Sequence, residues 1–337
     1  MHVGLLLLVT TSVSAVAVAQ TPSDPARGVT AERTLLLMGS RFRFSVHAID
    51  SVTAARAIDT AVAEVARIEA LISSWDPTSE TSRLNGAGGA PVAIDDELFA
   101  LIERSVKVSR LTRGAFDVSA AGLHRVYRFA RQDTTLPDAR VVADSRAAVG
   151  FEHIALDRAA RTVRLGLPGM RIGFGAIGKG YAANRARELA RAMPGVLGGV
   201  IDASGDLATF GRPPGDSLWH VRIGDPTRPG HWLGQVDVAE AAVVTSGDYE
   251  RYFLAGGERH AHIVDPRTGY PTTGVASATV VCPDAELGDA LATALFVLGA
   301  ADGIALLDRL KRVEGFVVDA SGGVHASRGL SLQPYAP

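Results

Sequence analysis

The sequence predicts an α+β fold of mixed, largely antiparallel strands packed with helices. Three observations lead there. Short segments alternate apolar and polar residues, as Phe42, Phe44 and Val46 do, which is the pattern of a half-buried strand. Longer segments carry apolar residues at three- and four-residue spacing, as amphipathic helices do. The two kinds of segment do not alternate in the βαβ series that builds a doubly wound parallel sheet. At 337 residues, with no Pro-, Ser- or Gly-rich linker to divide it, the chain reads as one large domain or two intimately associated lobes.

Residues 1–19 are an apolar leader ending in Ala17-Val18-Ala19, the small-residue pattern that precedes cleavage, and are read as a signal peptide. The leader's start carries His2 and no Lys or Arg, and an uncleaved membrane anchor is the other reading. Residues 20–33 are expected to be a flexible tether, leaving 34–337 as the folded domain. Thr34 to His47 reads as two strands around Met38-Gly39-Ser40. Ile58, Val62, Val65, Ile68 and Ile72 mark one face of a helix from Thr53 to Ser73. Asp95 to Leu111 is a second helix, acidic in its first turn as the macrodipole prefers. A short helix and a hairpin follow between Pro137 and Leu165, then a Gly-rich segment and a helix through Ala190. Strands run from Val196 to Val244. Asp284 is an N-cap for a helix with Leu287, Leu291, Leu295 and Leu298 at helical spacing. A helix from Asp302 to Leu310 and a hairpin close the chain.

The net charge of -2, with no basic stripe interleaved with aromatics, argues against a nucleic-acid surface. Cys282 is the sole cysteine, so no internal disulfide forms, and it reads as a small buried hydrophobe. His220 and His231 have no partners at metal-ligand spacing, which argues against zinc.

The candidate chemistry concentrates between Val244 and Thr293. Asp289 and Thr293 lie one turn apart on a common helix face. A carboxylate among Leu and Ala is costly unless paired or bound to a cation, and a carboxylate with a hydroxyl are hard oxygen donors that suit Mg²⁺. The alternative is an Asp paired with a distant Arg. His262 stands where a strand enters the turn Asp265-Pro266-Arg267-Thr268-Gly269-Tyr270-Pro271, a position from which an imidazole acts as general base, or serves as scaffold. Arg267 reads as positive charge for a phosphate or as a salt bridge within the turn. Gly173 to Gly178 satisfies G-x-G-x-x-G, with Asp202 at roughly the spacing of a ribose-binding acid. That would make an NAD-dependent oxidoreductase, although Pro168 to Ile172 makes a poor buried parallel strand.

The segments Thr245-Ser246-Gly247-Asp248-Tyr249, His262-Ile263-Val264-Asp265-Pro266-Arg267-Thr268-Gly269-Tyr270-Pro271 and Asp289-Ala290-Leu291-Ala292-Thr293, in that order, resemble the FAD:protein FMN transferase (ApbE-like) family. The resemblance covers about Met38 to Gly299. It implies a flavin cleft between two lobes, FAD as substrate, and Mg²⁺ bridging its pyrophosphate. FMN would pass to a Thr or Ser hydroxyl of an acceptor protein, with AMP leaving. It further implies Mg²⁺ ligands at Asp289, Thr293 and the Ala176 carbonyl, with His262 as base. Cofactor contacts would come from Met38, Trp75, Ala115, Phe116, Asp117, Lys179 and Ile263. Trp75 stands where the family has a Tyr against the isoalloxazine; plain core packing is its other reading. Gly173 stands where an Asp is common, so one cofactor hydrogen bond would be missing, and a FAD-hydrolysing or non-catalytic FAD-binding protein is the alternative. Many relatives carry a lipid-anchor Cys after the leader. None follows it here, so a soluble periplasmic or secreted protein, not stably inserted in a membrane, is expected.

Overall fold

The computed structural model describes residues 28–127, 129, 135–249, 252–255 and 258–334, so the predicted signal peptide lies outside the described residues. The chain runs β1 (Val29–Leu37), β2 (Ser40–Ala48), α1 (Ser51–Ile72), α2 (Glu80–Asn85), β3 (Val92–Ala93), α3 (Asp96–Leu111) and α4 (Ala139–Arg146). There follow β4 (Ile154–Asp157), β5 (Thr162–Leu165), α5 (Gly178–Arg191), β6 (Val196–Ala203), β7 (Asp206–Gly211), β8 (Trp219–Gly224) and β9 (Trp232–Val238). The last part is β10 (Ala242–Gly247), β11 (Tyr252–Ala255), β12 (Glu258–Ala261), β13 (Val275–Cys282), α6 (Ala285–Leu307), β14 (Glu314–Asp319) and β15 (Val324–Ala326). The first strand opens at Val29, earlier than the Thr34 boundary the sequence suggested, because residues 29–37 pair along their whole length with β2.

Eight strands form the main sheet in the order β1-β2-β6-β7-β10-β13-β14-β15. Pairing between its named strands is antiparallel throughout, and the one parallel contact among the described residues is the isolated bridge of Ala120 with Arg171. Tight turns dictate this. Met38 and Gly39 both take positive φ (51° and 66°), as do Ser204 and Gly205 (61° and 101°). Two-residue connections of that kind match the twist of adjacent antiparallel strands.

The sheet is covered on both faces. Val244 and Val317 join the large core with α1, α5 and α6, whereas their neighbours Val243, Phe316 and Val318 pack with Val221, Ile223, Val236 and Val238 of the β8–β9 hairpin. Helix α6 packs against strands on one side and α5 on the other, which explains why it is apolar all round. Asp284 caps it as expected, accepting from Leu287 N–H at 3.0 Å. The predicted break before Asp302 is real: Gly299 leaves helical geometry at φ 76°. On the β8–β9 hairpin, His220 is held by Asp216 (2.9 Å) and Asp237 (2.6 Å), an exposed ion-pair cluster that the spacing of histidines alone did not reveal.

The tightest point of the core is where α5 crosses α6. A Cβ on Gly180 would sit 2.8 Å from Asp289 Cβ and run into the Ala285 carbonyl. Gly180→Ala should therefore lower stability by about 1–3 kcal/mol, the usual cost of overpacking, in chemical denaturation. A wild-type midpoint would show that the two helices are free to separate.

Candidate active site

Asp289 sits at this crossing with 3% of its surface exposed. Its Oδ2 accepts from Gly180 N–H at 3.0 Å. Burial pushes its carboxyl above the ordinary carboxylate range, while the charge of Lys179 and the backbone N–H groups of Gly180 and Lys179 oppose that shift. The partner of this buried charge is thus the first turn of α5, whose N-cap residue Ile177 supplies no side-chain acceptor of its own. That corrects the alternative of a distant Arg. Two N–H groups occupy two of roughly four lone-pair positions on a carboxylate, so Asp289 retains capacity for a further partner. Thr293 lies one turn further along the same helix and is half-buried. Ala176 lies in the turn that leads into α5. Carboxylate, hydroxyl and carbonyl are all hard oxygen donors, and this set fits Mg²⁺.

Lys179 pairs through Nζ with Asp206, which is 1% exposed and opens β7. Asp206 escaped notice in the sequence. Its signal was a second acid within Asp202-Ala203-Ser204-Gly205-Asp206, placed by the hairpin at the end of a buried strand. Asp202 instead accepts from Gly205 N–H at 2.9 Å and shapes that turn.

The Gly-rich segment is not a dinucleotide-binding turn. No strand leads directly into it among the described residues, and β6 after its helix runs antiparallel to both neighbours. Its extended approach is held by Asn85, whose amide group clamps Ile172 from both sides (2.9 Å to the carbonyl, 2.8 Å from the N–H). The side chain of Met38 reaches this segment, with Cε 3.6 Å from where a Cβ on Gly178 would lie. A Cβ on Gly173 would meet Ala121 Cβ at 2.8 Å, with Ser74 Oγ at 3.8 Å. An Asp at 173 does not fit here without displacing Ala121, which explains why the position is Gly. Trp75, beside Ser74, is 79% exposed, with the Arg125 guanidinium 5.6 Å from its ring centroid. Core packing is therefore not its role.

Gly173 N–H also donates to Val118 O at 3.0 Å, which ties the segment to Gly114-Ala115-Phe116-Asp117. Ala115 and Phe116 are buried. Asp117 accepts from Ser119 N–H (2.8 Å), Ser119 Oγ (2.7 Å) and Phe151 N–H (3.1 Å), so its side chain serves the scaffold.

The turn after β12 lies on the other side of this loop. The His262 ring stands edge-on to Phe129 at 6.4 Å, and Tyr127 donates to Gly269 O at 2.7 Å. Ile263 is buried, with its carbonyl accepting from Thr272 N–H at 2.9 Å. Arg267 is the turn salt bridge: its guanidinium grips Asp265 in fork geometry, Nε to Oδ1 and Nη2 to Oδ2 both at 2.9 Å. Asp248, at the end of the Thr-Ser-Gly-Asp-Tyr segment, is raised by burial against the pull of Arg259, its partner at 3.3 Å.

The structure thus places a buried carboxylate and a lysine–aspartate pair at one helix end, with an exposed aromatic beside the same glycine-rich turn. Comparison with known proteins narrows the class. The pattern of the ApbE family matches residues 38–317. The FAD:protein FMN transferase of Treponema pallidum is 32% identical over 324 residues, covering 88% of this chain and 87% of its own. That of Klebsiella pneumoniae is 31% identical over 286 residues, covering 84% and 87%. The crystal structure of the ApbE protein of Thermotoga maritima superimposes with a TM-score of 0.82 at 28% identity, covering 89% of this chain and 97% of the other. The chain belongs to the ApbE family.

Because Trp75 is exposed, Trp75→Ala should change stability by no more than about 0.5–1 kcal/mol, the worth of its cation–π contact with Arg125. A buried tryptophan would cost roughly 3–5 kcal/mol. A thermal melt distinguishes the two, and a large drop would return Trp75 to the core.

Proposed function

We propose that this chain is an FAD:protein FMN transferase that moves FMN from FAD to a Thr or Ser hydroxyl of an acceptor protein and releases AMP. The observation that carries the reading is Asp289, buried against the first turn of α5 with Thr293 one turn away, in a chain that shares its family with transferases of that name. Mg²⁺ held by Asp289, Thr293 and the Ala176 carbonyl would neutralise charge on the pyrophosphate. Lys179 is anchored by Asp206 at the same helix end. Trp75 offers a face for the isoalloxazine and Met38 packs beneath the turn; Ile263, Ala115, Phe116 and Asp117 set the walls around it. His262 takes the proton of the acceptor hydroxyl as its oxygen bonds to the FMN phosphorus. The pyrophosphate P–O bond breaks, and AMP carries away the bridging oxygen. The leader read at 1–19 would put the reaction outside the cytoplasm.

The direct test is incubation with FAD and Mg²⁺, with and without a candidate acceptor, followed by mass spectrometry. FMN attached to the acceptor supports the reading; AMP and free FMN in both samples would mark a hydrolase instead. Asp289→Asn keeps an acceptor for the α5 N–H groups but removes the charge. It should leave the fold intact and raise the Mg²⁺ requirement steeply; turnover equal to wild type across a Mg²⁺ titration would remove Asp289 from the metal site. His262→Ala should lower turnover by about 10²- to 10⁴-fold with FAD affinity unchanged, and should abolish the decline in rate as pH falls through the imidazole range. An unchanged pH profile in an active variant would make His262 scaffold.

A further inference from the structure

Arg125 and Arg171 both lie where the loop after α3 meets the Gly-rich turn on its Trp75 side, Arg125 through the indole and Arg171 through Ala120. Arg125 ends the short 3₁₀ turn Leu123–Arg125 and lies over the indole, and Arg171 is fixed by its backbone bridge to Ala120. Arg171 is half-buried; burial and the adjacent charge of Arg125 both disfavour its charged form. Neither guanidinium has a carboxylate partner among the described residues. Among the described residues, the acids next to Trp75 and before Arg125 are engaged within the chain: Asp76 accepts from the N–H (2.8 Å) and hydroxyl (2.7 Å) of Thr78, and Asp117 from Ser119 and Phe151. Other arginines around the site behave differently. Arg104, Arg259 and Arg267 are each paired with a carboxylate. Two neighbouring guanidiniums with no carboxylate partner among the described residues repel, and their planar donor forks match a carboxylate.

We propose that Arg125 and Arg171 form a receiving site for an acidic side chain of the acceptor polypeptide, beside the Trp75 face. This rests on the reading of the protein as a transferase with a polypeptide as its second substrate. A polypeptide is the fitting occupant because Trp75 is 79% exposed, so this rim opens to solvent, while the reading above assigns the FAD phosphates to the α5 end. A chain of net charge -2 gives no general attraction for acidic partners, so a preference for one must be local.

Two labelled peptides of equal length, one of alternating Ser and Glu and the other of alternating Ser and Gln, test this by fluorescence anisotropy against the FAD-loaded protein. The wild type should prefer the acidic peptide on the order of tenfold at low ionic strength, the worth of a charge-assisted pair. Arg125→Gln with Arg171→Gln should erase that preference, the distant surface change Arg56→Gln should keep it, and FAD affinity should stay the same in all three. The proposal is overturned by no preference in the wild type, by a preference that survives the double substitution, or by a loss of FAD affinity in it, which would assign the pair to FAD. Failure of the wild type to take up FAD at all would instead sink the transferase reading, and is scored separately.

Discussion

The approach of α5 to α6 at Gly180 is the constraint on which the site depends. A carboxylate as deep as that of Asp289 is expensive unless its charge is answered, and a helix start without a side-chain cap leaves N–H groups unanswered. Each defect is the remedy of the other. The absence of a Cβ at 180 lets the helices come close enough for the exchange. The same interface satisfies the start of α6: Asn184 donates to Asp284 Oδ1 at 2.8 Å and accepts from Ala285 N–H at 2.9 Å, while Arg187 reaches the Pro283 carbonyl at 3.1 Å. Both helix ends are thus fixed relative to each other, and the oxygen donors inherit that precision.

The loop after α3 carries the second level of organisation. Along one stretch, Val118 holds Gly173, Ala120 bridges Arg171, Arg125 covers Trp75, Tyr127 holds Gly269, and Phe129 flanks His262. A segment with almost no regular structure thereby links the Trp75 rim, the glycine-rich turn and the His262 turn. Loops fixed at many points can carry a site because their backbone polar groups are spent on neighbouring segments.

How much of this the sequence disclosed depended on the range of the interaction. Periodicity and capping are local, and α1, α3 and the start of α6 fell within a residue or two of their expected limits. The hairpin at Met38-Gly39 was visible for the same reason. Asp289 and Thr293 could be put on one face of a helix, but the donor that answers Asp289 comes from a residue 109 positions away, and no local pattern encodes it. Asn85 and Asp206 were missed because their partners, Ile172 and Lys179, lie on other elements. Arg267 had two readings until the turn closed on Asp265. The resemblance to a family supplied roles that local physics left open, and geometry then decided among some of them: Trp75 is not core, and the Asp117 carboxylate is committed within the chain.

The glycine-rich motif shows why a pattern must be read with its surroundings. In a dinucleotide fold, a G-x-G-x-x-G turn frees the N–H groups of the following helix to hold a pyrophosphate directly. Here the equivalent donors at Lys179 and Gly180 are engaged by Asp289, and the Lys179 ammonium is matched by Asp206. The helix end is therefore close to neutral before any ligand arrives. A pyrophosphate approaching it would meet a carboxylate rather than bare N–H groups, and the repulsion between them has to be offset by positive charge that the described residues at this helix end do not have to spare. On the proposed reading a divalent cation held by Asp289 would supply that charge. The dependence on Mg²⁺ would then follow from how α5 is capped, and the same glycines that imitate a nucleotide fold would serve to bring a carboxylate to the helix.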